Sequence, residues 1–520
     1  MRGRVLIDGE ALTPETVVEV AHRRATVRLA GHARARVEAG EEGYARASAG
    51  RPSVLEQKRA HLVGEGVTAE GPQLAATFLL GHCASVGEPL PDAVVRAMVL
   101  CRANVLAKGA SGVRAGCVDA LLALLEAPWT PVVPSQGSVG AAGDLAPLAH
   151  VARVLCGLGG TVRDAQGRTF EATRAVLAEA GLTPWEPTPK EALSLINGAT
   201  LTSALAAVSV HRARRVLDAM EVACAMTFEA TRADRRALSL QAVDARNHPG
   251  GSLVAARLSA MLEGSTLCVA GNPPDAFSVR AAPAVLGAAR DALAWAEQVV
   301  LRELNGACDN PLWFPGEGIV EAGNFHGAPV ALALDALRVA VVQAATQSER
   351  RTYRLSSGQL STDLPSFLVE GTGLNSGFML AQYTAASLAS ECKGLAHPAV
   401  VDTIPTVQHH EDHVSMGPIA GRLTLRVLEC AADIVGIEAT LAAQALDFRR
   451  EGLGFPRGLR TEGPAVTLAP GVAHAHGAVR AVIDRWVDDA VMHPVLVRAG
   501  RLIRSGGLLA SPAPSSLLPW

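Results

Sequence analysis

The chain has 520 residues, of which 49% are apolar and only 4% aromatic, with 47 Lys and Arg against 50 Asp and Glu. A net charge of −3 with both signs interspersed gives no electrostatic basis for binding nucleic acid or an anionic membrane. Ala, Leu and Val dominate, which favours packed helices over sheets, and the length allows two or three domains. Nine cysteines, at positions 83, 101, 117, 156, 224, 268, 308, 392 and 430, form no CxxC pair. That spacing predicts a reduced, cytoplasmic protein with thiols in its core. The first eight residues lack the apolar core of a signal peptide. No uncharged apolar run reaches about 18 residues, so no transmembrane helix is expected.

Short β-like pieces, Val5 to Asp8 and Thr26 to Leu29, open the chain. Helical periodicity dominates from about residue 70, with Leu74 to His82 and Asp92 to Lys108 as clear cases. Pro131 to Pro147 is a Gly/Pro/Ser-rich interruption. Long apolar-periodic stretches follow at 197–231, 281–304, 328–355, 374–397 and 416–450, and their Ala content predicts a closely packed bundle. The breaks at 264–280, 305–324 and 356–373 exceed ordinary loop lengths, which points to functional loops. One helix near 475–498 is expected in the Gly/Pro-rich tail. The domain reading is 1–195 and 196–520, the second a long-helix bundle with a C-terminal helical cap.

Several segments carry a resemblance when taken together. They are Gly81-His82 with Val86-Gly87-Glu88-Pro89-Leu90; Leu106-Ala107-Lys108-Gly109 with Ser111-Gly112-Val113-Arg114; and Gly137-Ser138-Val139-Gly140-Ala141-Ala142-Gly143-Asp144-Leu145. Further along come Leu195-Ile196-Asn197-Gly198, Asp309-Asn310-Pro311-Leu312 and Gly323-Asn324-Phe325-His326-Gly327. Leu374 to Met379 and Glu411 to Met416 complete the set. In this order they resemble the histidine and aromatic amino-acid ammonia-lyases over nearly the whole chain. The resemblance implies a mainly α fold of the fumarase/histidine ammonia-lyase type, with a small mixed α/β N-terminal part. It also implies a homotetramer whose active sites are each shared by three subunits.

In that family an Ala-Ser-Gly tripeptide cyclises to a methylidene-imidazolone, an electrophile formed when the serine hydroxyl leaves as water. Here the tripeptide is Ala141-Ala142-Gly143. Alanine has no leaving group at Cβ, so the expectation is no such cofactor. Two further hydroxyls are missing. Counting back from His82 places the family's tyrosine loop on Pro52 to Arg59, and no tyrosine lies between Tyr44 and Tyr353. The family's Tyr-Ser-Leu-Arg is Phe277-Ser278-Val279-Arg280.

What remains matches a binding pocket. Arg280 matches the residue that grips the substrate carboxylate, a task suited to a planar guanidinium. Asn197 and Asn310 match residues around the amino group, and Phe325 the aromatic beside it. His82 and Glu411 match positions that face the imidazole ring in histidine-specific members, with His410 beside Glu411. Lys58, one of only four lysines, falls in the former tyrosine loop with His61 nearby, and either is a candidate base. The run His409-His410-Glu411-Asp412-His413 has no zinc-ligand spacing, so no metal is expected.

A quaternary ammonium has no N–H to lose and departs as a neutral amine, so its elimination needs no electrophile. The residues therefore resemble those of ergothionase, an imidazolone-free trimethylammonia-lyase of the same superfamily. The expected activity is β-elimination of an amine from an imidazole amino acid or betaine, of the ergothioneine or hercynine type, giving a urocanate-like product. Three other readings stay open: an addition, isomerisation or cyclisation in the same pocket; a non-catalytic ligand-binding relative; and a histidine ammonia-lyase inactivated at its serine.

Overall fold

A computed structural model describes residues 3–63, 71–268, 276–361, 363–408, 410–452 and 466–509; side chains of 59–63 lie outside that description. The fold is mainly helical with four small sheets among the described residues, as the composition predicts. The chain divides into two units. The first comprises residues 1–211, 297–335 and 399–422, and the second 212–296, 336–398 and 423–520.

Unit 1 opens with the two predicted strands, Gly3–Ile7 and Ala25–Leu29, paired in parallel with Val5 opposite Val27. Helix Pro14–Ala21 joins them, and Thr13 caps it by accepting the Thr16 amide at 3.2 Å. Proline at its first turn lacks the N–H that would otherwise be unpaired there. Helix Asp92–Leu106 packs against it and is buried almost throughout, because Val94, Val95, Ala97, Met98, Val99 and Leu100 cover several faces. Helix Pro189–Ile196 starts at a capping box between Thr188 and Glu191 and leads to Asn197. The hairpin Leu312–Phe314 and Gly318–Val320 packs on helix Gly31–Ser48.

Unit 2 is built from helices. Pro249–Met261 and the N-terminal part of Ala282–Leu304 approach at glycines: a Cβ on Gly287 would stand 2.4 Å from the Gly251 nitrogen. Counted over the two units, the predicted long stretches fold as Thr200–Ala230, Ala282–Leu304, Ala328–Ser356, Met379–Leu395 and Gly417–Glu451, of which only Met379–Leu395 lies wholly in unit 2. The fourth starts five residues later than periodicity suggests. Residues Ser376 and Gly377 turn instead, donating their amides to Asp489 at 2.6 and 2.9 Å. The tail holds two helices rather than one, Pro470–Arg480 and His493–Arg504. Arg480 folds back onto the carbonyls of Ile483 and Asp484 at 3.1 Å, which ends the first, and Pro494 fits the opening turn of the second.

Among the described residues one helix, Ala328–Ser356, is long and apolar enough to cross a membrane. Most of its apolar window, 61%, is buried inside the protein, as in a core helix.

Candidate functional site

The degenerate tripeptide lies in a tight loop between strand Pro134–Gln136 and helix Leu145–Leu155. Gly140 and Gly143 adopt left-handed φ values of 72° and 81°, which glycine takes without steric cost. Gly143 forms an isolated parallel bridge with Gly198. The Asp144 amide donates to the Gly198 carbonyl at 2.9 Å, and the Gly198 amide to the Ala142 carbonyl at 3.4 Å. From the other side Ser415 Oγ donates to the Gly140 carbonyl at 3.1 Å, and the Met416 amide to the Val139 carbonyl at 2.9 Å. The loop is thus held between the start of Thr200–Ala230 and the segment that follows Glu411. Ala141 and Ala142 are half-buried. Ala142 brings only a methyl group to this frame, so these residues do not fit a methylidene-imidazolone.

Asp144 lies beneath the loop, fully buried, and accepts from the Thr202 amide at 2.8 Å and hydroxyl at 3.3 Å. Burial pushes its carboxyl up to about 7 in spite of those bonds. Asn197, 1% exposed, caps Pro189–Ile196, and its Oδ1 is buried without a hydrogen-bond donor among the described residues. A buried acceptor left open in a native site calls for a partner. Asn310 Oδ1 accepts the Ala322 amide at 2.7 Å. Phe325 is half-buried in the same loop region.

Lys58 stands on helix Val54–Val63. Burial pushes its ammonium below the ordinary lysine value, while Glu321, Asp309 and Glu411 act in the opposite sense. The fold therefore brings Lys58, a candidate base, and Glu411, a ring-facing candidate, within electrostatic reach of each other. His61 shares the Lys58 helix, but its side chain lies outside the described residues. Glu411 Oε2 accepts the Thr406 hydroxyl at 2.8 Å, and the two residues form an isolated antiparallel bridge. His410 is exposed, with its amide on the Val407 carbonyl at 3.0 Å, and His409 lies outside the described residues. His82 Nδ1 is 2.7 Å from the Phe78 carbonyl, and the two rings sit 4.3 Å apart. A carbonyl oxygen only accepts, so Nδ1 is the donor in that contact.

Sequence reasoning missed a charged cluster behind Lys58. Asp309, fully buried, lies 3.3 Å from Arg102 and 3.5 Å from Lys190, and accepts from Ser194 at 2.8 Å. Burial alone would raise its carboxyl, but Lys190 and Arg102 hold it below the usual carboxylate range. Burial drives Lys190 down to about 8. Tyr44 lies under Lys190, ring centre 5.7 Å from Nζ, and burial with Asp309 and Glu321 pushes its phenol up to about 12. Such a phenol is no base at neutral pH. Glu321 was also missed, as was the pair His326 and His413, whose rings stack 5.4 Å apart with Nε2 and Nδ1 at 3.3 Å. All these contacts join residues far apart in the chain, and only the motif residues Asp309, His326 and His413 carried a local signal.

Arg280 and Phe277 belong to unit 2, on the one-turn helix Phe277–Arg280. The guanidinium lies 5.0 Å from the Phe277 ring centre, and Phe277 is 72% exposed. Among the described residues no group of three or more His, Cys, Asp or Glu is placed to hold a metal ion.

Comparison with known proteins agrees with this architecture. The family model for aromatic amino acid lyases matches residues 12–481. A histidine ammonia-lyase of Deinococcus radiodurans is 43% identical over 459 residues, covering 86% of this chain and 84% of the relative. The crystal structure of histidine ammonia-lyase from Trypanosoma cruzi superposes with a TM-score of 0.85 at 35% identity, covering 99% of both chains. Ergothionase from Treponema denticola, in a complex with desmethyl-ergothioneine sulfonic acid, shares the fold with a TM-score of 0.84 over 98% of this chain and all of that one, at 23% identity. This chain belongs to the aromatic amino acid lyase family and is a carbon–nitrogen lyase of the histidine ammonia-lyase type.

Proposed function

We propose that this lyase eliminates a tertiary amine from an imidazole-bearing betaine without an imidazolone electrophile. The observation that carries the reading is Ala142, a methyl group in a loop held by hydrogen bonds from Gly198, Ser415 and Met416. Uncharged Lys58 takes the β-proton, the electrons form the Cα–Cβ double bond, and the C–N bond breaks with its pair leaving on the amine. The nitrogen needs no prior activation, because a quaternary ammonium is already cationic and leaves neutral. Arg280 holds the carboxylate, while His82 Nε2 and Glu411 Oε1 take the ring. Asn197, Asn310 and Phe325 stand around the amino group, Phe277 accompanies Arg280, and His410 neighbours Glu411.

Incubation with ergothioneine or hercynine tests this. The expected result is trimethylamine and a conjugated acrylate absorbing in the near-UV. No turnover of either betaine at high enzyme sinks the reading.

A homotetramer with shared sites belongs to the same proposal. Leu374 is 91% exposed, Val491 79% and Phe277 72% in the single chain, the signature of surfaces that bury against partners. All nine cysteines are unpaired thiols, which supports a reducing, cytoplasmic setting. The identity to histidine ammonia-lyases favours one competing reading, a histidine-specific enzyme silenced at Ala142.

A further inference from the structure

The geometry points to Arg351 and Gln347 as positioning residues that aim Arg280 at the substrate carboxylate. The inference rests on the carboxylate-binding role of Arg280 proposed above. A helix of one turn such as Phe277–Arg280 has almost no intrinsic stability, even with the Ala281 amide on the Phe277 carbonyl at 2.9 Å, and it needs side-chain contacts from outside. Helix Ala328–Ser356 supplies them. Arg351 Nη1 donates to the Ser278 carbonyl at 3.2 Å, and Gln347 Nε2 lies 3.5 Å from the Phe277 carbonyl.

Arg351 is itself immobilised. Its side chain and that of Glu438 are both 0% exposed and pair through Nε–Oε1 at 2.5 Å and Nη2–Oε2 at 2.9 Å. Glu438 also accepts Ser348 Oγ at 2.5 Å and Thr227 Oγ1 at 2.8 Å. Every strong contact of this buried carboxylate is therefore used, and Nη1 is the guanidinium corner that reaches the turn. A buried ion pair adds little stability over apolar side chains of the same volume, so its value lies in orientation. The turn it holds carries Arg280 over the Phe277 ring, with Arg280 at the surface.

The test uses the full chain with Arg351→Lys, which keeps the charge against Glu438, and Gln347→Ala, which leaves that pair untouched. Amide hydrogen exchange, read by mass spectrometry, should quicken about 5-fold or more over 276–281 in Arg351→Lys, with the long helices unchanged. Gln347→Ala should give a smaller change in the same peptide. Calorimetric binding of urocanate and of its methyl ester should show the preference for the acid falling about 10-fold in Arg351→Lys. Unchanged exchange at 276–281 in both variants, or faster exchange spread over all of unit 2, overturns the inference. Wild-type protein that binds acid and ester alike would instead sink the carboxylate role of Arg280, while the exchange data still decide whether Arg351 orders the turn.

Discussion

Gly198 is clasped to Gly143 as an isolated parallel bridge, so the loop bearing Ala142 is fixed to the start of helix Thr200–Ala230. The clasp leaves no room for a side chain. Gly198 has a φ of +114°, and a Cβ there would stand 2.1 Å from the Cys308 carbonyl oxygen. Gly198→Ala should cost more than about 3 kcal/mol. Thermal unfolding checks this; a Tm within a degree of wild type would refute it.

Lys58 titrates low because burial disfavours its charge. With the folded value below the ordinary 10.5, the neutral amine accumulates at lower pH. Turnover should rise with pH and level off above a midpoint below 10.5. Lys58→Met should lose about 10²- to 10⁴-fold in kcat, the range for a positioned base. A variant with wild-type rate removes Lys58 from the mechanism.

Restoring one hydroxyl should not restore a histidine ammonia-lyase. Ala142→Ser gives the loop a leaving group, yet Phe277 and the tyrosine-free stretch after Tyr44 remain. The expected outcome is no ammonia release from histidine. Gain of near-UV imidazolone absorbance together with deamination would favour the silenced-enzyme reading.

Arg280→Lys replaces a planar fork by a point charge. KM for a betaine substrate should rise about 10- to 100-fold, with a smaller change in kcat. Steady-state kinetics separates the two, and an unchanged KM contradicts the carboxylate role.

Asp144 gives a pH signature in stability. Its folded value of about 7 lies above the ordinary 3.8, so the folded chain holds this proton more tightly than the unfolded chain. That contribution is complete below pH 3.8 and is lost as pH rises through about 7. Measured against Asp144→Asn, the wild-type Tm should lose ground steadily across that window. A constant difference would mean that Asp144 is ionised throughout.

The primary sequence by itself determined the helical class, the approximate extents of four of the five long helices and the family. Apolar period and glycine punctuation are local properties of the chain, and motifs survive as strings. It also determined that Ala142 cannot lose water and that Phe277 lacks a hydroxyl, since both follow from side-chain identity. Packing alone decided which charges face each other. Lys190 meets Asp309 across 119 positions, and Arg351 meets Glu438 across 87. No periodicity encodes such pairs, because they depend on which helices lie side by side. Tertiary structure likewise decided that Lys58 is desolvated among Glu321, Asp309 and Glu411, and desolvation is what turns an ordinary surface cation into a candidate base.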